Sequence, residues 1–413
     1  MNPFRTAGVV HPPFFTDREV EVSRIIEAMR TRGGKLIVSG ERRMGKTSAL
    51  GVALERHRGE GGLGILADFS TASTPVDLAN RILSAATREL HRRWQHRVMD
   101  FFRQLQPEVT LGSDPAGLPT ASFSVGLRES SADDQYQTLA GVLDALEQMF
   151  AARGEAFTVV LDEFQEIHGI GGEQAEWRLR GVAQHHQHLS YVFAGSRTSL
   201  IRRMQSRNRA FYQLADRLPF GPIDPAHMAG WIDSRMAEGK VRSAGAGKMI
   251  VSLAGPRTRD IVQLARKTFD LARESRQVSE QVIVASFREL IAEEDDTIRL
   301  YWDGLTPGQQ NVLRAIAAGE PQLTGQGAQR RFALSSPPAV KKTADKFEED
   351  GVAFRSEDGT YQCDSPFVRG WLIHHALPDL GLHWDAAKLP PRTASHSPSP
   401  AVPNRRSDPS EAG

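Results

Sequence analysis

The sequence has almost no cysteine: Cys363 is the single one in 413 residues. A lone thiol excludes an internal disulfide framework and fits a reducing compartment. A small, half-buried strand residue is a better reading of Cys363 than a reactive thiol. Long apolar runs are missing as well, and no window approaches the roughly 20 apolar residues that a helical membrane span needs. The first residues, "MNPFRTAGVVHPPFF", lack an apolar stretch followed by a small-residue cleavage site, so no signal peptide is expected. Cytoplasmic residence is the resulting expectation. Net charge is nearly absent too, with 51 basic side chains against 50 acidic ones. No global field would draw such a chain to nucleic acid or anionic lipid, so any such partner must be held by a local patch.

What is present is enough chain for two or three domains of roughly 100–200 residues each. From Phe15 to about Phe220, short apolar strands alternate with helical periods. "KLIVSG", "GLGILADFS", "FTVVLDEFQEI" and "YVFAGS" read as strands, the last two apolar throughout, as strands covered on both faces are. "KTSALGVALERH", with Leu50, Val52 and Leu54, and "PVDLANRILSAATRELHRRW" read as helices between them. Strands separated by helices imply crossover units and a parallel sheet flanked by helices. Two β-like pieces around "SDPAGLP" predict a hairpin insertion at about 107–130.

After "LPFGPIDP" the strands stop, and four consecutive helices are expected, the last running through "VSEQVIVASFRELIAEEDDTIRLYWDGL". A third unit begins at "LTPGQQNVLRAIAAG", where Thr306 caps a helix with Pro307 in its first turn. Two more helices and a strand–turn–strand pivoting on Asp358-Gly359 complete a winged helix-turn-helix. The expected domains are therefore an α/β core (1–222), an all-helical lid (223–302), a winged helix (303–385) and a disordered tail (386–413) rich in Pro, Ser and Arg.

The chemistry starts at "GERRMGKTSAL". Gly40, Gly45, Lys46 and Thr47 fit the phosphate-binding pattern G-x-x-x-x-G-K-[ST] between a strand and a helix, as that motif requires. Glycines let the loop curl so that backbone N–H groups face a phosphate, and the helix N-terminus adds its positive dipole end. The nucleotide-binding set is Gly40, Glu41, Arg42, Arg43, Met44, Gly45, Lys46, Thr47 and Ser48. Lys46 is expected to neutralise the β- and γ-phosphates and Thr47 to hold Mg²⁺. A similar stretch at Gly247-Lys248 lacks the preceding strand and the first glycine, and Met249 replaces the hydroxyl, so it is set aside. In "TVVLDEFQE" a strand delivers Asp162 at its C-terminal end as a second Mg²⁺ ligand, and Glu163 next to it can polarise a water. An apolar strand ending in two acids is common, but downstream of a phosphate loop the pair points to ATP hydrolysis. ATP is favoured over GTP because no Asn-Lys-x-Asp motif occurs.

The order "FFTDREVEV", phosphate loop, "LDEFQEI", "FAGSRTSLIRRM", "LPFGPI", "AGPRTRDIVQLA" and winged helix resembles the archaeal-type P-loop ATPases with bacterial relatives, often grouped as AAA+ or STAND-like. The resemblance covers about residues 10–375. It implies that Phe15, Asp17 and Arg18 pack near the adenine and that Ser196 senses the γ-phosphate. It also implies that Arg257 or Arg259, with Arg259 favoured, closes the lid onto phosphate. Where relatives often carry Tyr-Gly-Arg this chain has Tyr212-Gln213-Leu214, so none of Arg202, Arg203, Arg207, Arg209 and Arg217 is singled out as a trans-acting arginine.

His185 and His188 share a helical face and could hold a metal, but a solvated helix end is the better reading. Trp94, Trp177, Trp231 and Trp302 read as packing anchors. On the expected recognition helix, Lys341, Lys342 and Lys346 are candidate DNA contacts, joined by Arg330, Arg331 and Arg355. Asp345, Glu348, Glu349 and Asp350 share that helix, so a protein-contact role stays open. The expected function is Mg²⁺-dependent ATP binding and hydrolysis switching core, lid and winged helix. The alternatives are a nucleotide-loaded DNA-binding regulator or scaffold with negligible turnover, and a signalling ATPase that assembles with copies of itself or a protein partner.

Overall fold

The structure is a computed structural model that describes residues 1–6, 8–94, 109–113, 119–123, 132–196, 198–243, 245–356 and 359–377. The chain forms two compact units, Met1–Leu290 and Ile291–Gly413. The expected core (1–222) and residues 223–290 of the expected lid fall in the first unit, and residues 291–302 of that lid fall in the second.

The first unit is built on a parallel five-stranded sheet. Its strands are β1 (Lys35–Ser39), β2 (Gly64–Asp68), β5 (Phe157–Asp162), β6 (Leu189–Gly195) and β7 (Asp216–Pro219), in the spatial order β2-β5-β6-β1-β7. Side chains alternate between two apolar layers, as the period of two demands. Ile37, Val159, Leu161, Tyr191 and Phe193 enter one core with residues of α3 (Pro75–Trp94), α4 (Ala132–Ala151) and α5 (Glu166–Ala183). Leu36, Val38, Val160, Val192 and Ala194 enter the other with α1 (Glu19–Arg30) and α2 (Lys46–Gly59). Strands buried on both faces have no polar side to alternate with, which is why they read as continuous apolar runs.

Several elements were not apparent in the sequence, β7 and α1 among them. Strand β7, "DRLP", buries Leu218 alone, and its pairing with β1 places it in the sheet. Helix α1 carries a buried stripe, Val22, Ile25, Ile26 and Met29, at helical spacing. The hairpin insertion is present as antiparallel β3 (Val109–Ser113) and β4 (Pro119–Phe123), while 107–108, 114–118 and 124–130 of the expected insertion lie outside the described residues.

Four helices follow: α7 (Pro225–Glu238, after the short α6, Thr198–Met204), α8 (Ala246–Ala254), α9 (Thr258–Ala272) and α10 (Glu280–Glu293). The expected single helix from 278 to 305 is broken at Glu294, and α11 (Asp295–Asp303) starts anew. Asp295 and Asp296 then sit in a first turn, where the helix dipole favours carboxylates.

In the second unit, α12 (Pro307–Ala318) opens on a capping box between Thr306 and Gln309, with Pro307 at its first position. α13 (Gln326–Phe332), α14 (Pro337–Glu349), the antiparallel pair β8 (Ala353–Arg355) and β9 (Tyr361–Cys363), and a further helix α15 (Pro366–Ala376) complete it. Cys363 is buried in β9. The wing residue Asp358 and the tail from 386 lie outside the described residues. Of the expected tryptophan anchors, Trp231 meets Phe4 edge-on and Trp302 lies against Trp371. Trp177 is a correction: it is exposed on α5, with the Arg180 guanidinium over its ring. The side chain of Trp94 is outside the described residues. Among the described residues no helix is long and apolar enough to cross a membrane.

Candidate functional site

The C-terminal ends of β1, β5 and β6 converge, and each delivers one part of the site. In open parallel sheets this edge is where ligands bind. Residues 40–45 follow β1 and curl into α2, whose N-cap Gly45 has φ +93. An L side chain is strained there, whereas the space beside Gly45 is open. Gly40 is required for a different reason, since a Cβ would overlap the carbonyl oxygen of Phe220, just past β7. Arg43 also adopts a left-handed conformation, with φ +67.

Lys46 is buried, and its Nζ donates to the carbonyl oxygens of Gly40 and Glu41, both at 2.8 Å. Burial pushes its ammonium down to about 8, against the pull of Glu163, Asp162 and Glu41. The Thr47 hydroxyl donates to Asp162 Oδ2 at 2.6 Å. Burial pushes the Asp162 carboxyl up, partly offset by that hydrogen bond. Ser48 Oγ accepts from the backbone N–H of Val10 at 3.1 Å.

Glu163 follows with φ +51, the left-handed region that turns the chain sharply out of β5. Its Oε2 accepts from Ser196 Oγ and from Gln165 Nε2, both at 2.6 Å. Ser196 is buried just after β6. The structure thus brings Lys46, Thr47, Asp162, Glu163 and Ser196 together. Gln165 has no role in the sequence reading. It lies in the quoted "DEFQE", but its contact is set by how the chain turns after β5, which spacing does not reveal.

The N-terminus of α9 meets the phosphate loop. Arg257, 1% exposed, donates through Nε to Glu41 Oε2 at 3.3 Å. Thr258 Oγ1 donates to Met44 O, and the backbone N–H of Arg259 donates to Arg43 O at 3.0 Å. The Arg259 side chain is exposed. The structure therefore places Arg257, rather than the favoured Arg259, against the loop. Arg42 is exposed, and Arg43 pairs with buried Asp260 at 3.4 Å.

A second approach comes from the N-terminal segment. Phe4 is buried against Trp231 and Phe269, and Arg235 donates to Pro3 O. Arg18, also buried, donates to Met44 O and Gly221 O and stacks on Phe220. Phe15 packs on the α1/α2 side of the sheet, and Asp17 is exposed. Pro3 and Phe4 thus touch the helices after the sheet, and Arg18 touches the phosphate loop.

Several arginines of the 202–217 group are held within the chain. Arg209 pairs with Glu173 and Glu176, Arg203 pairs with Glu173, and Arg217 donates to Gln205 O. Arg202 and Arg207 are exposed. His188 pairs with Glu147, and His185 bonds the side chain of its neighbour Gln184. In the second unit Lys341, Lys342 and Lys346 on α14 are exposed, as are Arg330, Arg331 and Arg355. Asp345 accepts from Tyr361 OH, and exposed Asp350 accepts from Tyr301 OH.

The parallel five-stranded sheet flanked by helices, followed by further helices and a small antiparallel pair, is a fold shared with solved structures of Walker-type proteins. The Walker-type ATPase of Pyrococcus abyssi superposes with a TM-score of 0.59 at 17% identity, over 90% of this chain and 99% of that one. The Aeropyrum pernix ORC2 protein, solved in ADPNP–ADP complexes, superposes with a TM-score of 0.53 at 13% identity, over 87% of this chain and 92% of that one. At these identities the likeness is one of fold. No protein-family model and no curated protein sequence matches the chain.

Proposed function

We propose that the chain binds ATP with Mg²⁺ and hydrolyses it. The observation that carries this reading is the meeting of Lys46, Thr47, Asp162, Glu163 and Ser196 at one sheet edge. The donor set fits the ion: a hydroxyl and a carboxylate 2.6 Å apart are hard oxygen ligands of the kind Mg²⁺ takes. Thr47 and Asp162 would hold it, and when bound the ion neutralises phosphate charge. Lys46 would exchange its loop carbonyl partners for phosphate oxygens, joined by the amides of residues 41–47. Glu163, held by Ser196, would orient a water and take its proton. Arg257 would link the state of the phosphate loop to α9, and so to the helices after the sheet. The fold likeness to a Walker-type ATPase and to an ADPNP-bound protein supports the same reading.

Titration calorimetry of purified protein tests the binding half. ATP with Mg²⁺ is expected to bind saturably and more tightly than GTP, with Lys46→Ala abolishing the signal. Absence of any nucleotide binding by the wild type would overturn the proposal.

A second reading concerns α14. Lys341, Lys342 and Lys346 are exposed on α14, beside exposed Glu349 and Asp350, while Asp345 is bonded to Tyr361. This supports duplex DNA as the partner of the winged helix, through phosphate contacts. Cytoplasmic residence, consistent with one buried cysteine, belongs to the same reading.

A further inference from the structure

Glu163 projects from a left-handed turn, and a free carboxylate there could point in several directions. Two donors converge on its Oε2: Ser196 Oγ and Gln165 Nε2, each at 2.6 Å. Gln165 is 1% exposed, so its amide has no water to fall back on. Its Nε2 is shared with Glu166 Oε1 at 3.2 Å. Its Oε1 is buried with no hydrogen-bond partner and lies close against Gly195, where a Cβ would come within 2.5 Å of it. These contacts leave one orientation for the amide. Turned by half a rotation, its carbonyl would face two carboxylates and its NH₂ would face the Gly195 backbone.

An apolar side chain of similar length would fill this space without leaving a buried carbonyl unpaired. What such a side chain could not do is donate to Glu163. We infer that Gln165 is a positioning residue for Glu163: with Ser196 it fixes the carboxylate at the mouth of the phosphate loop, so that the rate of hydrolysis, and not nucleotide affinity, depends on it. The inference rests on the proposed role of Glu163 in hydrolysis. Gly195, directly before Ser196, completes the arrangement by admitting the Gln165 amide where any larger residue would displace it.

The test uses the full chain and the variants Q165L, Q165N, E163Q and E163Q/Q165L. Q165L is expected to lower kcat for ATP by about tenfold or more, a fraction of what a general base contributes. KM and the affinity for a non-hydrolysable ATP analogue should stay within about twofold. In the E163Q background the Q165L change should have no further effect, because Gln165 acts through Glu163. Q165N, whose amide stops one methylene short, should not restore the rate. An unchanged kcat in Q165L, a parallel loss of nucleotide affinity, or a Q165L loss that persists in E163Q would overturn the inference.

A second readout needs no turnover. In nucleotide-free protein labelled with ¹⁵N-glutamine, the Gln165 side-chain amide signal should move in E163Q and in S196A. A signal that stays in place in both would overturn the inference even if Q165L fails to fold. If the wild type proves unable to hydrolyse ATP, the role of Glu163 falls, and the amide signal still reports whether the two side chains are joined.

Discussion

Gly40 and Gly45 belong to one motif but answer to different constraints. Gly40 is required by packing, since a Cβ would overlap the Phe220 carbonyl. Gly45 is required by its φ of +93, with open space beside it. Gly40→Ala is therefore expected to destabilise the protein by about 1–3 kcal/mol through overpacking. Gly45→Ala should cost about 1–2 kcal/mol from backbone strain alone and should also weaken ATP binding. Urea unfolding with and without ATP separates the two. At the same scale, Arg257→Ala should impair ATP binding or turnover more than Arg259→Ala, since Arg257 reaches Glu41 while Arg259 faces solvent. Equal effects would contradict the placement. Lys46, Thr47, Asp162 and Glu163 were legible because motif spacing is local and its chemistry strict. The choice between Arg257 and Arg259 was not, because the two lie within one turn and only the docking of α9 on the loop distinguishes them. Gln165 was invisible because its contact with Glu163 is set by how the chain turns after β5.

Among elements, the tie between α4 and β6 is the most telling. Glu147 accepts hydrogen bonds from the backbone N–H groups of Gln187, His188 and Leu189 and from the His188 ring. Burial pushes its carboxyl up, but these donors together bring it below the usual carboxylate range. A depressed folded-state pKa gives stability that is present above the unfolded pKa and lost as pH falls through the folded one. Glu147→Gln is thus expected to lower the melting temperature at neutral pH, and the gap to wild type should close as the pH falls below the carboxylate range. A gap that is constant with pH would contradict this. The sequence showed no hint of the tie, since the partners lie about forty residues apart. The buried strands were legible as unbroken apolar runs, whereas β7 was not, because three of its four residues are exposed and its place comes from pairing with β1. The break at Glu294 was hidden because apolar periodicity continues past it.

For the whole molecule, the proposed nucleotide site lies in the first compact unit and the proposed DNA contacts lie in the second. In the second, replacing Lys341, Lys342 and Lys346 by alanine should weaken duplex DNA binding similarly across sequences. It should also reduce the slope of log affinity against log salt by about 3, at roughly 0.9 per phosphate contact. An unchanged slope in filter binding would favour a protein partner for the winged helix. In the first, the central claim is that the phosphate loop and the Asp162-Glu163 pair form one hydrolytic site. The most direct measurement is single-turnover hydrolysis of radiolabelled ATP by the purified chain, with Mg²⁺ or with chelator, for wild type and Glu163→Gln. The account predicts Mg²⁺-dependent release of phosphate by the wild type. It predicts a rate about 10²–10⁴ lower in Glu163→Gln, the usual contribution of a general base, with ATP still bound. Equal rates in the two proteins, or no Mg²⁺-dependent hydrolysis by the wild type, would contradict it.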